Sequence, residues 1–214
     1  MDAKTEDLFP HSYEASRARF RERLGTIRER WPEATLHSHP LANDPAFTID
    51  WIAAPAITTS ERGVIVTTGE HGIEGYAGSA MLELFVCEIM PMINPHATDL
   101  LLVHAINPWG MAHWRRVNEN NVDLNRNFVW GAEDVAPGHG EDLYGRLAFI
   151  LEPHARIGSR AVEAAGFASR LVAALARFGA GRLRAAALKG QYGSERGIYF
   201  GGADRQEETG LLQG

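Results

Sequence analysis

Two short apolar runs, with a long apolar stretch between them, restrict what this chain can build. Gly63–Thr68 (GVIVTT) and Asp99–Ile106 (DLLLVHAI) are rich in β-branched and aliphatic residues, as expected of strands buried on both faces. Gly75–Met90 has helical length, is apolar over most of its circumference, and is terminated by Pro91. Strand, long helix, strand predicts a right-handed crossover, with the two runs as neighbouring central strands of a sheet with parallel character.

The flanking segments extend this unit. Ser12 can cap a helix running to about Arg30, with Ala15, Phe20, Leu24 and Ile27 on one side, and Trp31-Pro32 ends it. Ala34–His39 and Phe47–Ala54 are strand-like and joined by the turn-rich Leu41-Ala42-Asn43-Asp44-Pro45, so they read as a hairpin. The expected fold class is α/β, a mixed, largely parallel central sheet flanked by helices. With 214 residues, 45% of them hydrophobic, a single domain over 1–214 is expected. Trp109–Gly140 reads as mostly irregular, and a long structureless stretch inside a domain usually carries function. Helical patterns return at Glu141–Leu151 and Ser159–Phe178. The Ala/Arg-rich run Ala161–Leu188 reads as a helix pair broken near Gly179-Ala180-Gly181, its arginines solvating the outer face.

Several classes are disfavoured by composition. A net charge of −6 gives no general affinity for nucleic acid or anionic lipid. No segment offers the roughly 18 consecutive apolar residues of a membrane span, and the first twenty residues lack the apolar core of a signal peptide. A soluble cytoplasmic protein is expected. Cys87, the only cysteine, lies in the run Met81–Cys87 and reads as a packed, inert thiol.

Two loops carry candidate chemistry. His71-Gly72-Ile73-Glu74 follows the first buried run, and in α/β sheets ligands bind at the carboxyl ends of strands. A His and a Glu three residues apart in a turn entering a helix can converge on one zinc ion. On the tetrapeptide alone, a polar turn capping the next helix is the commoner outcome. The second loop holds Asn107-Pro108-Trp109-Gly110, then Arg115-Arg116 and Asp123-Leu124-Asn125-Arg126-Asn127. Arginine forks pair well with carboxylates. A solvated loop whose arginines pair with Glu119, Asp123 or Glu133 is the other reading.

Together these motifs resemble the metallocarboxypeptidase superfamily, which includes the aspartoacylase and succinylglutamate desuccinylase enzymes. GEHGIEGYAGSA and RRVNENNVDLNRNF look closest to a bacterial zinc-peptidase-like branch, as do SYEASRARF and the late GQYGSERGIYFGG. The resemblance implies His71 and Glu74 as zinc ligands. It implies Asn125 and Arg126 as the grip on a substrate carboxylate, and Arg116, with Arg115 as competitor, as the oxyanion stabiliser. Asp123 is implied as the partner of the far nitrogen of the first His ligand.

The resemblance also implies a third ligand, a histidine on a later strand, and a later glutamate base. No His follows His154, so an incomplete catalytic set and weak or absent zinc binding are expected of this chain. His104, His113, His139 and His154 read as core or surface histidines. Glu195, Glu207 and Glu208 are carboxylates without an assigned place. The function implied is zinc-dependent hydrolysis of an amide bond beside a carboxylate, in a small peptide or N-acyl amino acid. The alternative is a non-catalytic carboxylate-binding or homo-oligomeric interaction protein of the same fold.

Overall fold

A computed structural model describes residues 8–128, 143–151, 160–188 and 190–213. The chain forms two compact units, Met1–Glu119 and Asn120–Gln213.

The first unit opens with α1 (Tyr13–Arg28), capped as expected by Ser12, whose Oγ accepts from the Ala15 N–H at 3.1 Å. Strands β1 (Thr35–Pro40) and β2 (Thr48–Ala54) form the expected antiparallel hairpin, in register from Thr35↔Ala53 to Pro40↔Thr48. Then come β3 (Arg62–Thr67), α2 (Gly75–Leu84), β4 (Thr98–His104) and the short α3 (Pro108–Ala112). The sheet order is β1-β2-β4-β3, with β4 parallel to β3 and antiparallel to β2. This is a mixed α/β fold, and the strand–helix–strand crossover is present.

One sheet face carries the core. Ile52 and Ala54 of β2 and Leu100 and Leu102 of β4 meet Phe20 and Ile27 of α1, while Leu82, Val86 and Met90 approach from the α2 side. Trp31, fully buried just past α1, donates its indole N–H to the Thr98 carbonyl at 2.9 Å, which ties the helix exit to the start of β4.

A polar seam crosses the same layer. His104 is fully buried between the rings of Phe20 and Tyr13, 5.2 and 6.2 Å away. Its Nε2 lies 2.7 Å from Ser16 Oγ, which donates onward to Ser79 Oγ of α2 at 2.7 Å. Arg19 also donates to Ser79 Oγ, at 2.8 Å. Beside this seam, the buried Asp50 receives the Arg21 fork at 2.6 and 3.1 Å and the Ser38 hydroxyl at 2.7 Å.

Three expectations are corrected here. β3 is not buried on both faces: it is an edge strand of the four-stranded sheet, Val64 and Val66 face the core, and Ile65 is 67% exposed. Gly75–Met90 is not one α-helix. α2 ends at Leu84, the backbone widens into a π-turn over Phe85–Ile89, and a 3₁₀ turn follows at Met90–Met92. Cys87 is exposed rather than packed, because the core takes Leu82, Val86 and Met90 at a spacing of four and Cys87 falls outside that stripe. Its thiol pKa is raised, first by the partial desolvation that persists at this exposed position and then by the Glu83 carboxylate, towards which it donates at 3.5 Å.

In the second unit, Leu124–Arg126 forms a 3₁₀ turn, followed by α4 (Leu143–Leu151), α5 (Arg160–Leu188) and α6 (Glu207–Gln213). Buried Leu147 and Ala174 join α4 to α5. The break expected near Gly179 is present, at φ 77° and ψ 156°. Over 109–128, expected to be mostly irregular, the regular pieces are α3, where Asn107 caps the helix and Pro108 starts it, and the Leu124–Arg126 turn. Residues 129–142, with His139, and 152–159, with His154, lie outside the described residues. Among the described residues no helix is long and apolar enough to cross a membrane.

Candidate metal centre

Past the end of β3, the chain must turn from the sheet into α2. Gly69 takes φ +69°, a region open to glycine at little cost, and its carbonyl receives the Asn107 N–H at 2.8 Å. His71 is extended (φ −91°, ψ 118°), and Gly72–Glu74 forms a 3₁₀ turn leading into α2. Its close neighbour is the start of α3. A Cβ on Gly72 would meet Gly110 C at 2.1 Å and Met111 N at 2.3 Å, so two backbones touch where no side chain fits.

Buried Asn107 locks this arrangement. Its Oδ1 accepts the Gly110 N–H at 2.8 Å, and its Nδ2 donates to the Arg116 carbonyl at 3.3 Å. That carbonyl also receives the Gly72 N–H at 3.2 Å, while the Arg115 carbonyl receives the Ile73 N–H at 2.8 Å. The Arg115-Arg116 segment therefore runs against the His71–Glu74 turn, and the backbone holds Arg116 beside the candidate ligands. Sequence reading quoted Asn107 within its motif but missed this role. An Asn directly before a Pro at a helix start is the cap signature that marks it.

The side chains converge accordingly. His71 Nδ1 lies 3.1 Å from Glu74 Oε2, and Arg116 Nη1 lies 3.7 Å from Glu74 Oε1. The His71 side chain is mostly enclosed while Glu74 is open to solvent. Two donors each about 2.0–2.1 Å from a tetrahedral zinc stand roughly 3.3 Å apart, close to the His71–Glu74 separation. The pair thus fits two corners of a zinc site. Among the described residues, no group of three or more His, Cys, Asp or Glu side chains gathers for a metal. His113 lies on α3's far end, its ring 4.3 Å from that of Trp109, and His104 belongs to the buried seam.

An aromatic pair lies beside this loop. Trp114 takes φ +56°, is 59% exposed, and stacks at 4.3 Å on Tyr76, whose hydroxyl donates to the Met111 carbonyl at 3.1 Å.

Asp123, Asn125 and Arg126 share one turn in the second unit. Asp123 is fully buried and precedes the turn, and its carbonyl receives the Arg126 N–H at 2.8 Å. Asn125 is exposed and Arg126 half-buried. The turn is held by Asn127, whose Nδ2 donates to the carbonyls of Gly201 and Asp204 at 2.8 and 3.0 Å. Its Oδ1 accepts from Gln206 N and Thr209 Oγ1, both at 2.7 Å.

With its mixed sheet and strand–helix–strand crossover, the chain is an α/β protein. It belongs to the DUF2817 family, described as a protein of unknown function, whose model matches residues 9–213. No curated protein matches the sequence. Among solved structures it is similar to bovine thrombin-activatable fibrinolysis inhibitor, solved in complex with tick carboxypeptidase inhibitor. The identity there is 16% and the TM-score 0.39, over 57% of this chain and 44% of that one. It is also similar to a metallo-carboxypeptidase from Burkholderia cenocepacia, at 14% identity and TM-score 0.41, over 55% of this chain and 33% of that one. The chain thus spans less than half the length of either.

Proposed function

We propose that this chain carries part of a zinc-dependent hydrolase site for an amide bond next to a carboxylate, as in a small peptide or an N-acyl amino acid. The observation that carries the reading is the His71 Nδ1–Glu74 Oε2 pair, 3.1 Å apart in a glycine-hinged loop past β3, with the Arg116 guanidinium on the other Glu74 oxygen. His71 and Glu74 would hold the ion. When bound, zinc supplies Lewis acidity, making water a better nucleophile at neutral pH and a carbonyl more electrophilic.

The remaining roles fall to this chain's own residues. Arg116, its backbone fixed by Asn107 and Gly72, brings a permanent positive charge to the oxygen on which negative charge develops. Asn125 and Arg126 take the substrate carboxylate, the arginine through paired N–H donors and the amide through one more. Asp123 takes the supporting role that the resemblance implies for it. The described residues offer two zinc donors where catalytic sites normally use three, so the proposal is a weak site that gains strength when a further donor is supplied, a second copy of the chain included.

Calorimetric titration of the chain with Zn²⁺, beside His71→Ala and Glu74→Gln, tests this directly. Weak binding that drops further in both variants is expected, with hydrolysis of N-acetylated amino acids assayed in parallel. Identical titrations for wild type and His71→Ala would remove the metal reading. Carboxylate binding without metal and without turnover would favour a carboxylate-binding protein built on the same fold.

A further inference from the structure

The run Gly190–Gly202 has no part in the chemistry above, yet within the second unit it wraps the turn bearing Asn125 and Arg126. Tyr192 donates its hydroxyl to the Arg126 carbonyl at 2.8 Å, and the Asp123 N–H donates to the Phe200 carbonyl at 2.7 Å. The run is stiffened from within. Gln191 N–H bonds to the Tyr199 carbonyl at 3.0 Å, and the Gly201 N–H bonds to the Gln191 carbonyl at 2.8 Å. The buried Gln191 side chain accepts from the N–H groups of Gly193 and Ser194 at 2.9 and 2.7 Å.

Two glycines in this run touch the machinery closely. Gly190 sits at φ +78°, and a Cβ there would fall 2.9 Å from Arg126 Cδ and 3.1 Å from its Cγ and Nε. The bare Gly190 backbone therefore packs directly against the Arg126 stem, and Arg126 Nε is shut off from solvent. Gly201 leaves room for the Tyr192 ring, since a Cβ there would meet its Cε1 at 2.1 Å. A long arginine stem loses much rotamer freedom on binding an anion, and one held beforehand has less to lose.

We propose that Gly190 and Tyr192 are positioning residues that fix the Arg126 side chain in place before any ligand arrives. The inference rests on the proposed function only for what Arg126 binds. Gly190 supplies the absent Cβ and the left-handed backbone, and Tyr192 anchors the turn through its hydroxyl. Gly193 serves as an internal control, because a Cβ there meets nothing within 4 Å.

The primary test needs no ligand. In nitrogen-edited NMR of the full chain, the Arg126 Nε–H signal, assigned by its loss in Arg126→Lys, should exchange slowly with solvent. Gly190→Ala and Tyr192→Phe should each speed that exchange by about tenfold, the scale of one lost hydrogen bond, while Gly193→Ala leaves it unchanged. If Gly190→Ala does not fold, Tyr192→Phe decides alone, since it keeps the ring and removes one oxygen. Wild-type exchange in Tyr192→Phe, or equal acceleration in Gly193→Ala, overturns the inference.

A second readout uses N-acetylglycine as probe. Binding by the wild type should weaken about tenfold in Tyr192→Phe if the anchor serves binding. Wild-type chain that does not bind the probe counts against the proposed function, and the exchange rates still decide whether Gly190 and Tyr192 position Arg126.

Discussion

The Cβ that Gly72 lacks would fall 2.1 Å from the carbonyl carbon of Gly110. Backbone cannot yield to such an overlap as a flexible side chain could. Gly72→Ala should therefore lose about 1–3 kcal/mol, the usual cost of forcing extra volume into a packed site. Gly25 in α1 is the counter-case, because an added Cβ meets nothing within 4 Å there. Gly25→Ala should gain about 0.5–1 kcal/mol from helix propensity. Urea unfolding of both variants checks the pair, and a harmless Gly72→Ala would refute the backbone contact.

The buried Asp50 gives a test at low pH. Burial works to raise its pKa, but the hydrogen bonds from Arg21, Ser38 and Thr48 outweigh it and hold the carboxyl below its usual range. A group with a depressed folded pKa contributes stability above its unfolded pKa, and that contribution is lost as pH falls through the folded value. Asp50→Asn should cost about 1.5–3 kcal/mol at pH 7, the worth of hydrogen bonds to a charged group. The variant should also lose less stability than wild type on descending below about pH 4. Unfolding midpoints measured across pH 2–7 decide it.

His104 acts in a neighbouring window for a different reason. Burial, above all, pushes its pKa down to about 4, with Asp50 opposing and Arg17, Arg19 and Arg21 assisting. Between that value and an unfolded pKa of about 6.5, the unfolded chain binds a proton that the folded chain refuses. Stability should then climb from pH 4 to about 6.5 by roughly 3 kcal/mol and level off above. His104→Gln should flatten the climb at some cost in stability. An imidazole signal for His104 that titrates near 6.5 would contradict a neutral, buried ring.

Arg126→Ala addresses the carboxylate grip. Its affinity for N-acetylglycine should fall by about 1.5–3 kcal/mol, the range for a hydrogen bond to a charged group. Arg115→Ala, at a position to which no carboxylate-gripping role is assigned, should bind the probe as wild type does. Isothermal titration of the two variants side by side separates the roles.

The βαβ core was legible because Val64–Thr67 and Leu100–His104 are apolar in runs too short for helices and the stretch between them is too long for a strand. The hairpin was legible from the turn residues before Phe47, and the α5 break from Gly179. What stayed hidden depends on which neighbours a residue meets. Ile65 sits in a run apolar on both faces and Cys87 in one apolar over most of its circumference, so sequence could not say which face the core would take. Ser16 and Ser79 look like ordinary helix serines, and nothing local signals that both serve one buried imidazole.

Within the candidate site, the His71–Glu74 pairing was legible because both residues share a turn entering a helix. Arg116's place was legible only through resemblance, since it depends on the Asn107 clamp and on the Gly72–Gly110 approach. The packing of Gly190 on Arg126, 64 residues apart in sequence by their numbering, left no local trace. A glycine's importance there lies in the atom it omits.

The Ser16–His104 hydrogen bond joins residues 88 positions apart. That separation bears on the order of events during synthesis. Helix α1 leaves the ribosome early, but the imidazole that Ser16 and Phe20 close on is absent until β4 emerges, a wait of about 4–18 s at usual elongation rates. Until then Ser16 and the Phe20 ring face water or whatever else binds a nascent amphipathic helix. Docking of α1 should accordingly be a late step, closing over a β2–β4 pair already made. In pulse-labelled refolding, the amides of β2 and β4 should gain protection before α1 becomes fixed against them.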